Sequence, residues 1–143
     1  MRLRDVEDVS KLTPAMQQYA NLKKNNESSL LFFRMGDFYE LFFDDAIITA
    51  KELNITLTKR GKVLNESIPM CGIPFHAANN YVPKLVKKGF EIAICEQTSS
   101  PEEMSLKGIK GPLTREVTRI ITPGTLIEEN QARLLSNLEK TFS

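Results

Sequence analysis

The sequence contains two cysteines, one histidine and no tryptophan, and these shortages argue against several kinds of site. Cys71 and Cys95 lack the paired spacing of a zinc or redox motif, so we expect two buried, reduced thiols. His76 has no evident partner for a Ser-His-Asp triad, and we expect it to cap or pack. A Gly-x-x-x-x-Gly-Lys-[Ser/Thr] loop is absent, so ATP binding through a P-loop is not expected.

Long apolar runs are absent as well, since none approaches the roughly 18 residues that a membrane span requires. The segment MRLRDVEDVS lacks the apolar region of a secretory signal, which favours a cytoplasmic protein. The 143 residues are 41% hydrophobic and 26% charged, which is typical of one globular domain. Residues 59–119 contain ten basic and six acidic side chains, hence a net charge of +4. That balance is compatible with nucleic-acid backbone contacts and is also common on solvated surfaces.

Residues 30–46 (LLFFRMGDFYELFFDDA) place six aromatic side chains around one Gly-Asp pair. The short apolar run Leu30–Arg34 predicts a buried strand. Met35–Asp37 supplies a turn, because glycine adopts positive φ and aspartate can bond the local backbone. Phe38–Phe43 predicts a second strand, so the whole segment is expected to form a hairpin.

Alternation along the second strand puts Phe38, Glu40 and Phe42 on one face. The opposite face is apolar and suits a core, and it consists of Tyr39, Leu41 and Phe43. An aromatic ring two residues from a carboxylate, directly after a turn, can stack while the carboxylate accepts a directed hydrogen bond. Taken alone, these residues favour a core position for Phe38 over an exposed one.

The rest of the chain alternates between predicted helices and strands. Thr13 is expected to cap a first helix that begins at Pro14 and ends near Lys24. Two more helices are predicted at residues 45–54 and 76–88. Strands are predicted at residues 55–58, 90–95 and 115–121, the last with Arg115, Val117 and Arg119 on one face.

Prolines and glycines mark the predicted irregular segments. Residues 68–74 contain two prolines and a glycine and should not form a regular element, residues 99–112 should form a long loop, and residues 122–125 a final turn. The order of elements predicts an α/β (α+β) fold, a single domain with a mixed β-sheet flanked by about three helices. We expect a flexible lead-in at residues 1–12, the domain at 13–126, and a linker or truncated helical tail at 127–143.

The block GDFYELFFDDA (residues 36–46) resembles the signature of the MutS family of DNA mismatch-repair proteins, within the N-terminal mismatch-recognition domain. Five further blocks continue the likeness in the family's order: TPAMQQY (13–19), TLTKRG (56–61), IPMCGIPFHA (68–77), AICEQ (93–97) and VTRIITPGT (117–125). Phe-X-Glu alone would be a weak signal, whereas six ordered blocks across about residues 12–126 are a specific one.

The resemblance implies roles for individual residues in DNA mismatch repair. Phe38 matches the phenylalanine that stacks on the mispaired base from the minor groove, and Glu40 matches the carboxylate that hydrogen-bonds that base. Four more positions match DNA-backbone or groove contacts of the family: Lys59, Arg60, Met70 and Arg115. Without the resemblance, the cations at residues 59 and 60 are equally well explained as part of an ordinary charged loop.

The resemblance also implies a larger parent protein, a bacterial, cytoplasmic and nucleoid-associated dimer that binds and hydrolyses ATP. This chain lacks the family's connector, core, clamp and ATPase domains, so we expect a monomeric, non-enzymatic fragment. No catalytic residue, metal ligand or cofactor is expected here, because ATP and Mg²⁺ belong to the absent ATPase domain. The expected partners are mismatched double-stranded DNA and the remaining domains of the parent protein, with no membrane.

Two alternatives remain open at this point. A small metal-dependent nuclease could hold Mg²⁺ with Asp37, Glu40, Asp44 and Asp45, assisted by Lys59. The spacing counts against it, because two of these acids suit a helix start and Asp37 suits a turn. The other alternative is a protein-interaction domain that makes no contact with DNA.

Overall fold

The computed structural model describes Arg2, Leu3, Val6, residues 9–63 and 66–125, and Leu135. The strands form one six-stranded sheet, and the helices pack on both of its faces. The strands are β1 (Ser29–Met35), β2 (Phe38–Phe42), β3 (Thr58–Val63), β4 (Glu66–Pro74), β5 (Glu91–Gln97) and β6 (Arg115–Ile121). The α-helices are α1 (Pro14–Lys24), α2 (Phe43–Leu53), α3 (Ala78–Lys87) and α4 (Pro101–Leu106), and short 3-10 helices span Val9–Lys11 and Phe75–Ala77.

The strand order is β3-β4-β2-β1-β5-β6, in which β1 runs parallel to β5 and every other neighbouring pair is antiparallel. This arrangement confirms the predicted α/β domain around one mixed sheet. Four complete α-helices lie within the described residues, in keeping with the predicted flanking helices, and residues 123–125 are also helical. None of the helices in this part of the chain is long and apolar enough to cross a membrane.

Each face of the sheet carries its own apolar core, because alternate residues of a strand point to opposite sides. On one side, the α1 face, Tyr19 of α1 packs against Phe33 of β1, with ring centroids 5.6 Å apart. On the other side, the α2/α3 face, Ala46 of α2 and Leu85 of α3 pack with Phe32 of β1. Burial of each large apolar side chain contributes about 1.5–3 kcal/mol, so both layers stabilise the sheet.

The first helix begins and ends where the sequence predicts. Thr13 Oγ1 accepts a hydrogen bond from Met16 N at 3.3 Å, and Pro14 occupies the first helical position. Proline fits there because the first N–H groups of a helix have no intrahelical acceptor. The helix ends at Lys24, and Asn25 is its C-cap residue. A turn closed by the hydrogen bond from Ser29 N to the Asn26 carbonyl oxygen then leads into β1.

The predicted aromatic hairpin forms, except that Phe43 begins α2 and lies in the core of the α1 face, not with Tyr39 and Leu41. β1 and β2 pair antiparallel, and Met35 lies opposite Phe38 across the turn. Gly36 has a φ of +62°, a left-handed conformation that glycine adopts without steric cost. The chain then passes from β2 directly into α2 through Phe43, whose φ of +56° is strained for a residue with a side chain. Stacking of the buried Phe43 ring on Tyr19 helps to hold this conformation.

The acidic pair at the start of α2 was predicted to cap the helix, but neither carboxylate makes a capping hydrogen bond. Phe42 is the N-cap residue and makes no side-chain cap bond. Asp45 is buried instead, where its Oδ2 accepts hydrogen bonds from Leu31 N at 3.0 Å and the Tyr19 hydroxyl at 3.4 Å and lies 2.9 Å from Lys23 Nζ. Burial raises the pKa of Asp45, and Lys23 offsets part of that effect by favouring the charged form. This carboxylate therefore connects α1, β1 and α2.

The prediction of an irregular segment at residues 68–74 is wrong, because they form most of β4. This strand pairs with β2 on one side and with β3 on the other. Pro69 lies beside the irregular point of the β3–β4 ladder, and Pro74 is the last residue of the strand. Proline lacks an N–H group and is tolerated at bulges and strand ends, so neither residue prevents pairing.

β3 begins three residues later than the strand predicted at residues 55–58. Of that run only Ile55 packs on the core, Leu57 is exposed, and pairing with β4 begins at Thr58. The β3–β4 ladder contains a bulge in which Arg60 and Gly61 both stand opposite Ile68. Gly61 supports it with a φ of +62°. Lys59 and Arg60 therefore lie within an irregular strand and not at a strand end. Bulges bend a strand and change the direction of its side chains.

β6 has the predicted bounds, but a second bulge changes which residues share a face. Its register with β5 shifts between Val117 and Arg119 and leaves Thr118 without a strand partner. Arg115 and Val117 lie on the α1 face, whereas Arg119 lies on the α2/α3 face. The prediction that all three residues at positions 115, 117 and 119 share one face is therefore wrong.

Residues 99–112, predicted as a long loop, contain α4. Ser100 Oγ accepts a hydrogen bond from Glu103 N at 3.1 Å, and Pro101 occupies the first helical position. The Ser-x-x-Glu pattern is a known signal for a helix start, and the buried Met104 follows it. The sequence thus carried the signal for this helix.

The ends of the described chain add to the predicted domain bounds. Val6 and Leu12 are buried in the core of the α1 face, and the flexibility expected for residues 1–12 stays a prediction. Residues 123–125 are helical where a turn was predicted. The linker or tail predicted at residues 127–143 lies almost wholly outside the described residues.

Both cysteines are buried, as predicted. Cys71 belongs to the core of the α2/α3 face and Cys95 to the core of the α1 face, so the sheet separates the two thiols. Burial raises the pKa of each thiol to about 12. The thiolate form, which is the reactive one, is therefore disfavoured at both positions.

Replacing Asp45 with asparagine should strongly destabilise the fold. The substitution removes the charge that faces Lys23 in a largely buried environment, and we expect the free energy of unfolding to fall by about 3 kcal/mol. Urea denaturation followed by circular dichroism measures this change. The matched control is Asp44→Asn, because the Asp44 carboxylate is about half exposed and lies 3.9 Å from Arg2 Nε. The control should change stability by less than about 0.5 kcal/mol, and equal losses in the two variants would contradict the role given to Asp45.

Candidate nucleic-acid interface

β2 changes from core to surface along the α1 face. Phe42 at one end is fully buried and contacts the Tyr19 ring edge-on, with centroids 5.0 Å apart. Glu40 is partly buried, and Phe38 at the other end is 46% exposed. Helix α1 therefore covers only the Phe42 end of this face. The ring and the carboxylate share the uncovered end, where strand alternation predicted that they would lie side by side.

Phe38 lies beside the hairpin turn, next to Met35 on β1. Its Cδ1 is 3.6 Å from the place that a Cβ would occupy at Gly72 of β4, so the glycine leaves this side of the ring without a covering side chain. Phe38, Glu40, Met70 and Gly72 line part of an open groove of about 480 Å³. Single exposed phenylalanines are common on protein surfaces, so the groove and the adjacent carboxylate are what distinguish this one.

Glu40 is the acidic member of this groove and is bound to a cation of the same chain. Arg60 Nη1 donates a hydrogen bond to Glu40 Oε1 at 2.7 Å. The Glu40 side chain is 12% exposed and the Arg60 side chain 42% exposed. Burial raises the pKa of Glu40, while Arg60 and then Arg115 favour the charged form and offset part of that effect. Two cations therefore offset part of the desolvation cost of the charged carboxylate.

These two cations are held in different ways. Arg60 projects from the bulge of β3, and its side chain remains 42% exposed. Arg115 Nε donates to the Arg34 carbonyl oxygen at 2.7 Å, and its Nη1 donates to Gln18 Oε1 at 2.6 Å. Its guanidinium also lies 4.7 Å from the centroid of the Phe33 ring, and burial lowers the pKa of Arg115. Arg115 is thus engaged by the protein itself, whereas Arg60 is open to solvent.

A group of side chains on the α2/α3 side of the hairpin fixes the strand that carries Phe38, and no sequence pattern indicated it. The Tyr39 hydroxyl hydrogen-bonds to Glu96, and Arg34 Nη1 lies 3.0 Å from Glu96 Oε2. The Arg34 guanidinium stacks 4.0 Å from the centroid of Phe75. Burial and the hydrogen bond to Glu96 raise the pKa of Tyr39 to about 12. These partners are far apart in sequence, so local periodicity could not have paired them.

The structure brings three of the four predicted DNA contacts to the α1 face, near the carboxylate of β2: Arg60, Met70 and Arg115. Lys59 is exposed but lies on the opposite side of β3. Its neighbour Thr58 pairs with Met70, which belongs to the α1 face, and adjacent strand residues point to opposite sides. Lys59 is therefore not part of the groove.

The four carboxylates proposed for a nuclease do not converge. Asp45 and Glu40 are each paired with a cation of the chain. Asp44 is exposed and lies near Arg2, and Asp37 is exposed beside the hairpin turn. Within the described part of the chain, no group of three or more His, Cys, Asp or Glu side chains is placed to hold a metal ion. The geometry gives no support to the nuclease alternative.

The model of the family MutS domain I matches residues 13–130 of this chain. The chain belongs to this family. A curated relative, the DNA mismatch repair protein MutS of Bartonella quintana (strain Toulouse), is 56% identical over 119 residues. The aligned segment covers 83% of this chain and 13% of the relative, so the chain spans only a small part of that protein. The range matched by MutS domain I includes all six blocks on which the resemblance was based, which confirms it.

Within this MutS domain I, truncating Phe38 should leave the fold intact, whereas truncating Phe42 should not. Phe38→Ala should lower the free energy of unfolding by less than about 1 kcal/mol, because nearly half of the side chain is already in water. Phe42→Ala leaves a cavity in the core of the α1 face and should cost about 3–5 kcal/mol. Urea denaturation of both variants checks this expectation. A loss for Phe38→Ala as large as that for Phe42→Ala would mean that the exposed ring belongs to the core.

Proposed function

We propose that this chain recognises mismatched or unpaired DNA as one non-catalytic domain of a larger DNA mismatch-repair protein. One observation carries the proposal: Phe38 is 46% exposed on the uncovered end of the α1 face, in the same groove as the ionisable Glu40. The family and the name of the relative support the same function. In this proposal Phe38 enters the minor groove and stacks on the mispaired base, and Glu40 accepts a hydrogen bond from that base.

Stacking by Phe38 explains how one site detects many different mismatches. A mispaired base is poorly stacked on its neighbours, so inserting an apolar side chain at that step costs less than at a matched step. Minor-groove wedges pay a few kcal/mol of unstacking and kink the duplex towards the major groove. Stacking between a base and an aromatic ring returns about 1–3 kcal/mol and tolerates every base, since each base has a π-face.

Glu40 provides discrimination at the expense of general affinity. A carboxylate near the phosphates of a duplex is repelled, so it weakens binding to all DNA. A displaced, mispaired base offers an unpaired N–H group that a matched base keeps in its pair. Only a mismatched duplex then compensates the repulsion with a hydrogen bond, which widens the difference between the two affinities.

Backbone contacts supply the remaining affinity in this proposal. Arg60 is an exposed cation that suits phosphate oxygens, and Met70 lines the groove beside the stacking ring. Lys59 is also exposed, but from the opposite side of β3 it would reach only phosphates beyond the groove. Arg115, held by the protein on three sides, suits a groove contact or an electrostatic role at the same face. The bacterial parent protein, in the cytoplasm and on the nucleoid, would add its other domains, its second subunit and its ATP and Mg²⁺ sites.

A titration with two duplexes tests the proposed recognition. The first duplex contains one G·T pair and the second is its matched counterpart, and binding is followed by NMR or by fluorescence anisotropy. The chain should bind the G·T duplex more tightly, and Phe38→Ala should lower that affinity about tenfold or more through the loss of stacking. Glu40→Gln should instead strengthen binding to the matched duplex.

We expect Phe38→Ala and Glu40→Gln to fold as the wild type does, and circular dichroism of each variant serves as the control. Equal binding to both duplexes, unchanged by Phe38→Ala, would contradict the role of the ring. Mg²⁺-dependent nicking of either duplex would favour the nuclease alternative. An NMR titration without shifts at the groove, at low salt, would favour a protein-interaction domain.

Acidification should reduce the discrimination between mismatched and matched duplexes. Because the pKa of Glu40 is raised, the carboxylate takes up a proton at a higher pH than an ordinary glutamate does. The protonated form is neutral and is no longer repelled by phosphates, so affinity for the matched duplex should rise as the pH falls through that pKa. Anisotropy titrations across the range measure this rise. The Glu40→Gln variant has no such group and should lose this part of the pH dependence; an identical profile in both proteins would rule Glu40 out as its source.

A further inference from the structure

The Glu40–Arg60 ion pair gives the two oxygens of the carboxylate different environments. Arg60 Nη1 binds Oε1 at 2.7 Å. Among the described residues, Oε2 has no hydrogen-bond donor, and it is not one of the buried unpartnered atoms, so solvent reaches it. One oxygen is thus fixed by the protein and the other is open to an incoming donor.

The bulge in β3 is what brings Arg60 to this position. Arg60 and Gly61 together stand opposite Ile68, and the extra residue changes the course of the strand beside the groove. The conformation depends on Gly61, whose φ of +62° is unfavourable for residues with a side chain. The sheet edge therefore departs from regular pairing at the residue that binds Glu40.

A charged hydrogen bond in a partly buried site restricts the side chain that accepts it. The Glu40 side chain is only 12% exposed, so water competes weakly for Oε1. The planar guanidinium has five N–H donors in a fixed arrangement, and among the described residues Glu40 is the acceptor found for Arg60. Arg115 also acts on the same carboxylate through its charge, but it is engaged by other groups.

We propose that Arg60 is a positioning and specificity-determining residue, which holds Glu40 Oε1 so that Oε2 meets the mispaired base. This inference rests on the proposed function of Glu40 and adds a second role to a residue expected only to contact the DNA backbone. The ion pair also screens the carboxylate from nearby phosphates before a base is engaged. Arg60 therefore controls how much of the Glu40 charge a duplex experiences.

A simple backbone contact and a positioning role have different consequences. A residue that only binds phosphate contributes equally to matched and mismatched duplexes, and its loss lowers both affinities by the same factor. A residue that positions Glu40 changes the ratio of the two affinities and loses that effect when Glu40 is replaced. The two roles are separated by a double-variant cycle between Arg60 and Glu40.

The test compares Arg60→Gln with Lys62→Gln, a matched control that removes an exposed cation from the same strand. Arg60→Gln should lower the ratio of mismatched to matched affinity by roughly three- to tenfold, as expected for one poorly made hydrogen bond. Lys62→Gln should lower both affinities alike and leave the ratio unchanged. In the Glu40→Gln background, Arg60→Gln should no longer affect the ratio.

A measurement without DNA completes the test. Carboxyl ¹³C NMR of Glu40 against pH should show a higher pKa in Arg60→Gln than in the wild type, because the guanidinium favours the charged form, and Lys62→Gln should match the wild type. In Arg60→Lys the pKa of Glu40 should return close to its wild-type value, because the charge is kept. The affinity ratio should stay low, since an ammonium group lacks the planar donor arrangement.

The outcomes separate this inference from the proposed function. If Glu40→Gln leaves the affinity ratio unchanged, the proposed role of Glu40 itself is wrong. If Glu40→Gln changes the ratio while Arg60→Gln shifts neither the ratio nor the pKa of Glu40, the function stands and the positioning role is overturned. Additive effects of the two substitutions on the affinity ratio would mean that Arg60 acts independently of Glu40, which would also overturn the positioning role.

Discussion

The position of α1 depends on one buried carboxylate. β2 leaves the sheet at Phe42 to begin α2, and this departure removes the strand neighbour of the Leu31 N–H group. Asp45 satisfies that N–H and at the same time binds Tyr19 and Lys23 of α1. A buried N–H without an acceptor is costly, so the hydrogen bond that repairs the sheet also holds the helix. The length of sheet that α1 covers, and therefore the uncovered end with its exposed ring, follows from this contact.

The sequence predicted the elements that local rules determine. Thr13 and Pro14 placed α1 correctly, Gly36 marked the hairpin turn, and alternation put Phe38 beside Glu40. The resemblance to a known family then supplied the exposed role for Phe38, which periodicity alone did not favour. These successes share a physical basis, because caps, turns and pleats are set by residues within a few positions of one another.

The failures arose where pairing between distant segments decided the structure. The prolines of β4 argued against a strand, yet they fall at a bulge and at a strand end, which only the pairing partner reveals. The face of Arg119 was predicted wrongly for the same reason, because the bulge at Thr118 is revealed only by the pairing of β6 with β5. The contact between Arg60 and Glu40 spans 20 positions and depends on a bulge, so no local pattern could have found it. Only α4 was missed despite a local signal, the Ser-x-x-Glu pattern at Ser100.

The two outermost strands of the sheet, β3 and β6, each contain a bulge, and they carry three and two basic side chains respectively. An outer strand has unpaired N–H and C=O groups that can recruit a strand of another molecule, and bulges and charged residues at that position oppose such pairing. The features that direct Arg60 towards Glu40 therefore also protect the protein from aggregation through its sheet edges. Substitutions that regularise β3 are expected to alter solubility and the proposed DNA discrimination together, so few substitutions should be tolerated at this exposed edge.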